Sequence, residues 1–166
     1  MIVVNTTVLS NLAIADRLEL LSRLYGTILV PFPVYQEILH GLEAGYKFLA
    51  KAAQFVQQGQ GVQLAVPQHP AEWRLFRKLR LFLGDGEAAG IALAKSRNVL
   101  FLSDDRRARL AAAEHGVSVS GTLGVLKAAV EAGQLSLSEA DTALRTMIQL
   151  GYRSPIQSLH ELENSS

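Results

Sequence analysis

Short β-branched apolar runs alternate along the chain with longer stretches whose apolar residues recur at helical spacing. Ile2 to Val4 read as a strand, because a run of β-branched side chains suits a pleated, buried surface. Asn5 and two threonines follow, and a hydroxyl at Thr6 or Thr7 can satisfy an orphan amide at the start of the next helix. Asp16 is expected to open a second helix, with Leu18, Leu21 and Leu24 at helical spacing and Gly26 just beyond its end. Thr27 to Val30 form a second expected strand, closed by Pro31 and Pro33. Val34 to Leu39 then read as a short helix carrying Glu37. Helical spacing returns from Tyr46 to Gln58, where Phe48, Ala52, Phe55 and Val56 share a face. Val62 to Val66 alternate as a short strand, and Pro70 to Leu81 read as helix.

The next pairing is the clearest. Gly84-Asp-Gly-Glu87 leads into a helix of small residues through Ala94, of a kind that packs closely against a sheet. Asn98 to Leu102 read as a buried strand ending in Ser103-Asp104-Asp105. A helix from Arg106 to Glu114 is expected to stop at Gly116, followed by a strand from Val117 to Val119. Thr122 begins a helix to about Ala132. Ser136 and Glu139 have the spacing of a capping box ahead of a last long helix to Leu150. From Ser154 the tail reads as a short helix followed by fraying residues.

Short apolar strands alternating with helices describe an α/β domain with a mostly parallel sheet. Without a repeat, a low-complexity tract or a linker, residues 1–166 are expected to form one domain.

Composition narrows the chemistry. Apolar residues make up 49% and charged residues 19% of the chain, a balance that favours a compact fold over disorder. The formal net charge is +1, so no global field drives nucleic-acid binding, although a local basic patch would suffice. There are no cysteines, which excludes disulfides, thiolate-bound metals and cysteine nucleophiles. With no membrane-length apolar run and no secretory-type N-terminus, a cytoplasmic protein is expected.

Sites in such folds form at the carboxyl ends of the strands. Asn5 ends the first strand, and Asp104 and Asp105 end the one that begins near Asn98. Glu37 follows the second strand, and Glu87 opens a helix. A cluster of carboxylates without histidine or cysteine suits a hard cation such as Mg²⁺ or Mn²⁺. Each acid also has a plain reading, as a helix cap or first-turn acid favoured by the helix dipole. Arg74, Arg77, Lys78 and Arg80 share one helix, and Arg106, Arg107 and Arg109 follow the acidic pair. Either group could hold phosphates, or simply form a solvated face. The histidines are scattered, no phosphate-binding glycine loop or nucleophile elbow appears, and Trp73 with Phe76 reads as a packing face. A phospho-acceptor signalling domain would need an acid at position 5 and a lysine at the end of a late strand. Neither is present.

With these residues in place, the sequence resembles a PIN domain of the VapC toxin type. IVVNTTVLSNL is similar to the family's strand followed by D-[ST]-S, and LVPFPVYQEILHG to its second strand and acid-bearing helix. LGDGEAAGIALA resembles the segment carrying the third acid, and VLFLSDDRRAR the strand and [ST]-x-D-R ending that carries the fourth. VSVSGTLGVLKAAVEAGQL resembles a branch of the family whose function is poorly defined. The resemblance implies a three-layer α/β/α sandwich and an endoribonuclease that uses Mg²⁺ or Mn²⁺. The metal ligands it implies are Glu37, Glu87, Asp105 and Asn5, with Asp104 competing with Asp105. Thr6 or Thr7 would support the site through its hydroxyl. It also implies RNA as substrate, a small antitoxin protein as partner in a toxin–antitoxin pair, and a homodimer.

The departure from the pattern is Asn5, which stands where the family has aspartate. Its amide oxygen can ligate a hard cation but brings no negative charge and cannot act as a base. A weakened or inactive domain that binds RNA or protein is therefore the alternative expectation.

Overall fold

A computed structural model of the chain describes residues 1–163, so the expected fraying of the last residues lies outside them. Five strands form one sheet: β1 (Ile2–Val4), β2 (Ile28–Pro31), β3 (Val62–Ala65), β4 (Leu100–Leu102) and β5 (Val119–Ser120). Every pairing is parallel, in the order β3-β2-β1-β4-β5. The expected mostly parallel sheet is thus wholly parallel. Ile2 lies opposite both Ile28 and Leu100, so β1 is central and buried along its length.

The pleat sends alternate side chains to two apolar layers. Ile2, Val4, Ile28, Val30 and Leu102 face one layer. It is covered by α1 (Thr6–Ile14), α2 (Glu19–Tyr25), α3 (Phe32–Glu43), α4 (Leu49–Gln58), α8 (Thr122–Glu131) and α9 (Leu137–Gln149). Val3, Leu29, Ala65 and Phe101 face the other, covered by α5 (Pro70–Leu79), α6 (Asp85–Arg97) and α7 (Arg106–Glu114). A last short helix, α10 (His160–Glu163), follows the tail. The result is a three-layer α/β/α sandwich.

The small residues of α6 serve this packing. A Cβ on Gly90 would sit 2.5 Å from Phe101 Cε2, so the helix approaches the sheet as closely as a glycine permits. Asn98, expected inside the strand, instead ends α6 in the left-handed conformation with φ 50°, a place asparagine fills well. The strand therefore starts at Leu100. The helix carrying Glu37 is longer than expected, because Pro33 sits in its first turn, where a missing amide costs nothing. Asp16 does not start a helix: it turns the chain at φ 56°, and α2 begins at Glu19. The capping box of Ser136 and Glu139 forms as the spacing predicts, with Glu139 N donating to Ser136 Oγ at 3.1 Å.

Candidate active site

The strand order reverses direction between β1 and β4, the crevice where open α/β sheets place their ligands. Asn5 leaves β1 there, and Ser103 to Asp105 leave β4 beside it. Asn5 N donates to Leu102 O at 2.9 Å, carrying the ladder one residue past the strands. Its side chain is 3% exposed. Nδ2 donates to Ser103 Oγ at 3.2 Å, while Oδ1 is buried with no hydrogen-bond partner among the described residues.

Neither threonine caps α1 through its side chain. Asn5 is the N-cap residue by backbone conformation, φ −94° and ψ 165°, and makes no side-chain cap. The hydroxyls are recruited across the strand ends instead. Thr6 Oγ1 donates to Glu37 Oε2, and Thr7 Oγ1 accepts from Asp104 N at 3.1 Å.

Three carboxylates converge on this crevice. Glu87 enters from the first turn of α6, its Oε2 accepting from Gly84 N at 3.1 Å. Its pKa is raised above the ordinary glutamate range, first by burial and then by the negative charges of Asp105 and Glu37. Arg107 and the Gly84 amide oppose this without cancelling it. Asp105 is the N-cap of α7, its Oδ1 accepting from Ala108 N at 2.8 Å. Glu37 sits on the exposed face of α3, against Gly86: a Cβ there would lie 2.7 Å from Glu37 Oε1. Each carboxylate thus has one oxygen held by the protein, and the second accepts no hydrogen bond among the described residues.

Asp104 points elsewhere. Its Oδ1 accepts from Thr122 N at 2.8 Å. Its Oδ2 accepts from Thr122 Oγ1 at 2.5 Å and from Asn11 Nδ2 at 3.1 Å. Tyr152 lies against it, and burial together with the Asp104 charge pushes the phenol pKa up. Gly121 permits this packing, since a Cβ there would meet Asp104 Oδ1 at 2.4 Å. Of the consecutive aspartates, one faces the other acids, and the other joins β4 to α1, α8 and the C-terminal segment.

Sequence reasoning passed over Ser103, which is fully buried. Its Oγ accepts both Asn5 Nδ2 and Asp105 N, the latter at 3.2 Å, and so couples the ends of β1 and β4. Its place two residues before Asp105 was the available signal. Asn11, Thr122 and Tyr152 carried none. The basic residues are partly engaged: Arg80 pairs with Asp85 at 3.2 Å, Arg107 donates to Phe82 O and Arg109 to Ser103 O. Trp73 meets Phe76 edge-on and stays 42% exposed, so only part of that pair is a packing face. His115 ends α7, its Nδ1 at 2.8 Å from Ala111 O.

The donor set of three carboxylates and one orphaned amide oxygen has the chemistry of a hard-cation site. As they stand, the side chains do not form a ready coordination shell: among the described residues no three His, Cys, Asp or Glu groups lie close enough to hold a metal. The residues fit a divalent ion in kind, and would have to draw together around it.

A parallel α/β/α sandwich with acids gathered where its strand order reverses has its candidate site in the crevice where such folds bind ligands. The chain belongs to the DUF3368 family of PIN domains, whose model matches residues 1–164. PIN domains are in general nucleases, commonly dependent on divalent metal ions, and this sets the chain's broad class of function. No curated protein and no solved structure gives a significant match. No helix among the described residues is long and apolar enough to cross a membrane.

Proposed function

We propose that the chain is an endoribonuclease dependent on Mg²⁺ or Mn²⁺ that hydrolyses RNA phosphodiesters. The observation that carries this is the placing of Glu37, Glu87 and Asp105 about one strand-end crevice, each with one carboxylate oxygen held by the protein and the other accepting no hydrogen bond among the described residues. Like charges gathered at a strand-end crevice are stabilised by a cation between them. Glu37, Glu87 and Asp105 would hold it, with Asn5 offering its amide oxygen. A divalent ion supplies, when bound, activation of water and neutralisation of charge developing on the phosphate. The chain's own groups hold the acids in place: Thr6 orients Glu37, the Gly84 amide orients Glu87, and the Ala108 amide orients Asp105.

A toxin role, a small antitoxin partner, a homodimer, a cytoplasmic location and a single domain over residues 1–166 extend this reading on the strength of the family resemblance. A second reading, a domain that binds RNA or protein without cutting, is favoured by Asn5 and by the open arrangement of the acids.

The test is cleavage of a mixed RNA pool with Mg²⁺ or Mn²⁺ and then with chelator, beside Glu87→Gln. Thermal unfolding with and without Mn²⁺ gives an independent readout. Metal-dependent cleavage lost in the variant, together with a Mn²⁺-induced rise in Tm lost with it, supports the nuclease. Cleavage no greater than the variant's, with no shift in Tm, supports the binding module.

A further inference from the structure

The loop between α5 and α6 carries the amide that fixes Glu87: Gly84 N donates to Glu87 Oε2 at 3.1 Å. Little packing holds that loop. Leu81 is 84% exposed and Phe82 46%, and Leu83 alone of these turns into the core. Its other bonds are local, from Phe82 N and Leu83 N to Leu79 O and through the Arg80–Asp85 ion pair. Among the described residues, one hydrogen bond reaches the loop from outside α5 and α6. Arg107 Nη2 donates to Phe82 O at 2.6 Å.

Arg107 is the second residue of α7, two positions after Asp105, the cap of that helix. Its guanidinium therefore joins the segment that carries one acid to the loop that holds another. The group lies near enough to the crevice for its charge to oppose the raised pKa of Glu87. Arg107 is exposed, and exposed charged contacts add little to global stability, so its effect is local. A charged donor still bonds roughly twice as strongly as a neutral one, and a planar guanidinium gives up less freedom per bond than a lysine.

We propose that Arg107 is a positioning residue for the candidate active site. By holding the Phe82 carbonyl it fixes the Gly84 amide, and with it the Glu87 carboxylate, relative to Asp105. The effect on cleavage rests on the ribonuclease reading; the tether itself does not. An acid displaced by about 1 Å can cost about a hundredfold in rate, so a loop free to drift matters to chemistry before it matters to folding.

The experiment compares wild type with Arg107→Ala, Arg107→Lys and Arg106→Ala. It reads kcat and KM on an oligoribonucleotide with Mn²⁺, and amide hydrogen exchange at Gly84 by NMR. Arg106 is the neighbouring exposed arginine, so its loss removes the same charge and leaves the loop bond in place. Arg107→Ala should lower kcat by about tenfold or more with KM within about threefold, and Gly84 should exchange about tenfold faster. Arg107→Lys, which can still donate to Phe82 O, should restore the protection and most of the rate. Arg106→Ala should leave both within about twofold. An unchanged kcat in folded Arg107→Ala, a loss confined to KM, or an equal loss in Arg106→Ala overturns the proposal. If the wild-type protein cuts no RNA, the ribonuclease reading fails and exchange at Gly84 decides the tether: faster exchange in Arg107→Ala upholds it, and unchanged exchange overturns it.

Discussion

Asn5 donates through Nδ2 to the Ser103 hydroxyl, which also accepts the Asp105 amide, so one oxygen ties together the ends of β1 and β4. This arrangement can accept an aspartate at position 5 without moving. In Asn5→Asp the serine hydroxyl turns to donate to the new carboxylate and still accepts from Asp105 N. The added charge joins Glu37, Glu87 and Asp105. Without metal it should lower stability by on the order of 1 kcal/mol, as like charges repel. With Mn²⁺ that loss should be recovered, and RNA cleavage should rise about tenfold or more above wild type. Paired unfolding and cleavage assays check this; a folded variant that neither gains activity nor responds to metal counts against the site.

The consecutive aspartates should separate cleanly. Asp104→Ala strips the acceptor from Thr122 and Asn11, both nearly inaccessible to water. Leaving those donors unpaired should cost about 3 kcal/mol, read as a fall in the urea midpoint. Asp105→Asn keeps an oxygen to cap α7 and should lose less than about 1 kcal/mol. Its cleavage should nonetheless fall at least about a hundredfold, because a charge facing Glu87 has gone. The reverse ranking would exchange the roles assigned to the two side chains.

The strand ends and their order were legible because buried parallel strands are short, apolar and β-branched, and the polar residue that ends each run shows in the sequence. Asn5 and the Asp104-Asp105 pair could be read in this way, and Glu37 and Glu87 from the helices that carry them. Choosing within the pair could not, since both precede a helix and either could cap it. The choice is made by Thr122 and Asn11, which lie 18 and 93 positions away and reach Asp104 only in the folded chain. The threonine cap failed for the same reason: Thr6 and Thr7 find partners on α3 and just past β4 that local propensity does not register. Asn98 was misplaced because an apolar run says where a strand lies better than where it starts.

A further carboxylate, Glu72, makes the fold's acid response testable away from the crevice. It is 2% exposed, and Oε2 accepts from Gln68 N at 2.6 Å and His69 N at 3.1 Å. Burial alone would raise its pKa, but those two amides, helped by the Ser96 side chain and then the Arg97 charge, outweigh it and hold the pKa below the ordinary range. A depressed folded pKa contributes stability that is present above the unfolded value and lost as pH falls through the folded one. Glu72→Gln should therefore be about 1 kcal/mol less stable at neutral pH. The gap should close on acidification below the ordinary glutamate range, as measured by urea unfolding across pH. A gap independent of pH would mean that shape, not charge, holds the start of α5.

Two glycines on α6 test whether the position of Glu37 matters to chemistry apart from stability. At Gly90 an added Cβ would meet Phe101, which is fully buried and cannot yield, at 2.5 Å. At Gly86 it would meet Glu37 Oε1 at 2.7 Å and Val34 Cγ2 at 2.9 Å. Val34 is a stiff β-branched core residue, whereas Glu37 is exposed and free to swing out. Gly90→Ala should thus lower stability by about 1–3 kcal/mol through overpacking and leave the cleavage rate of the folded protein within about twofold. Gly86→Ala should lose comparable or less stability, yet it turns the Glu37 carboxylate away from Glu87 and breaks its bond to Thr6. A displaced ligand of about 1 Å can cost about a hundredfold in rate, so cleavage should fall far more than stability explains. Equal activities in the two folded variants would remove Glu37 from the reacting cluster.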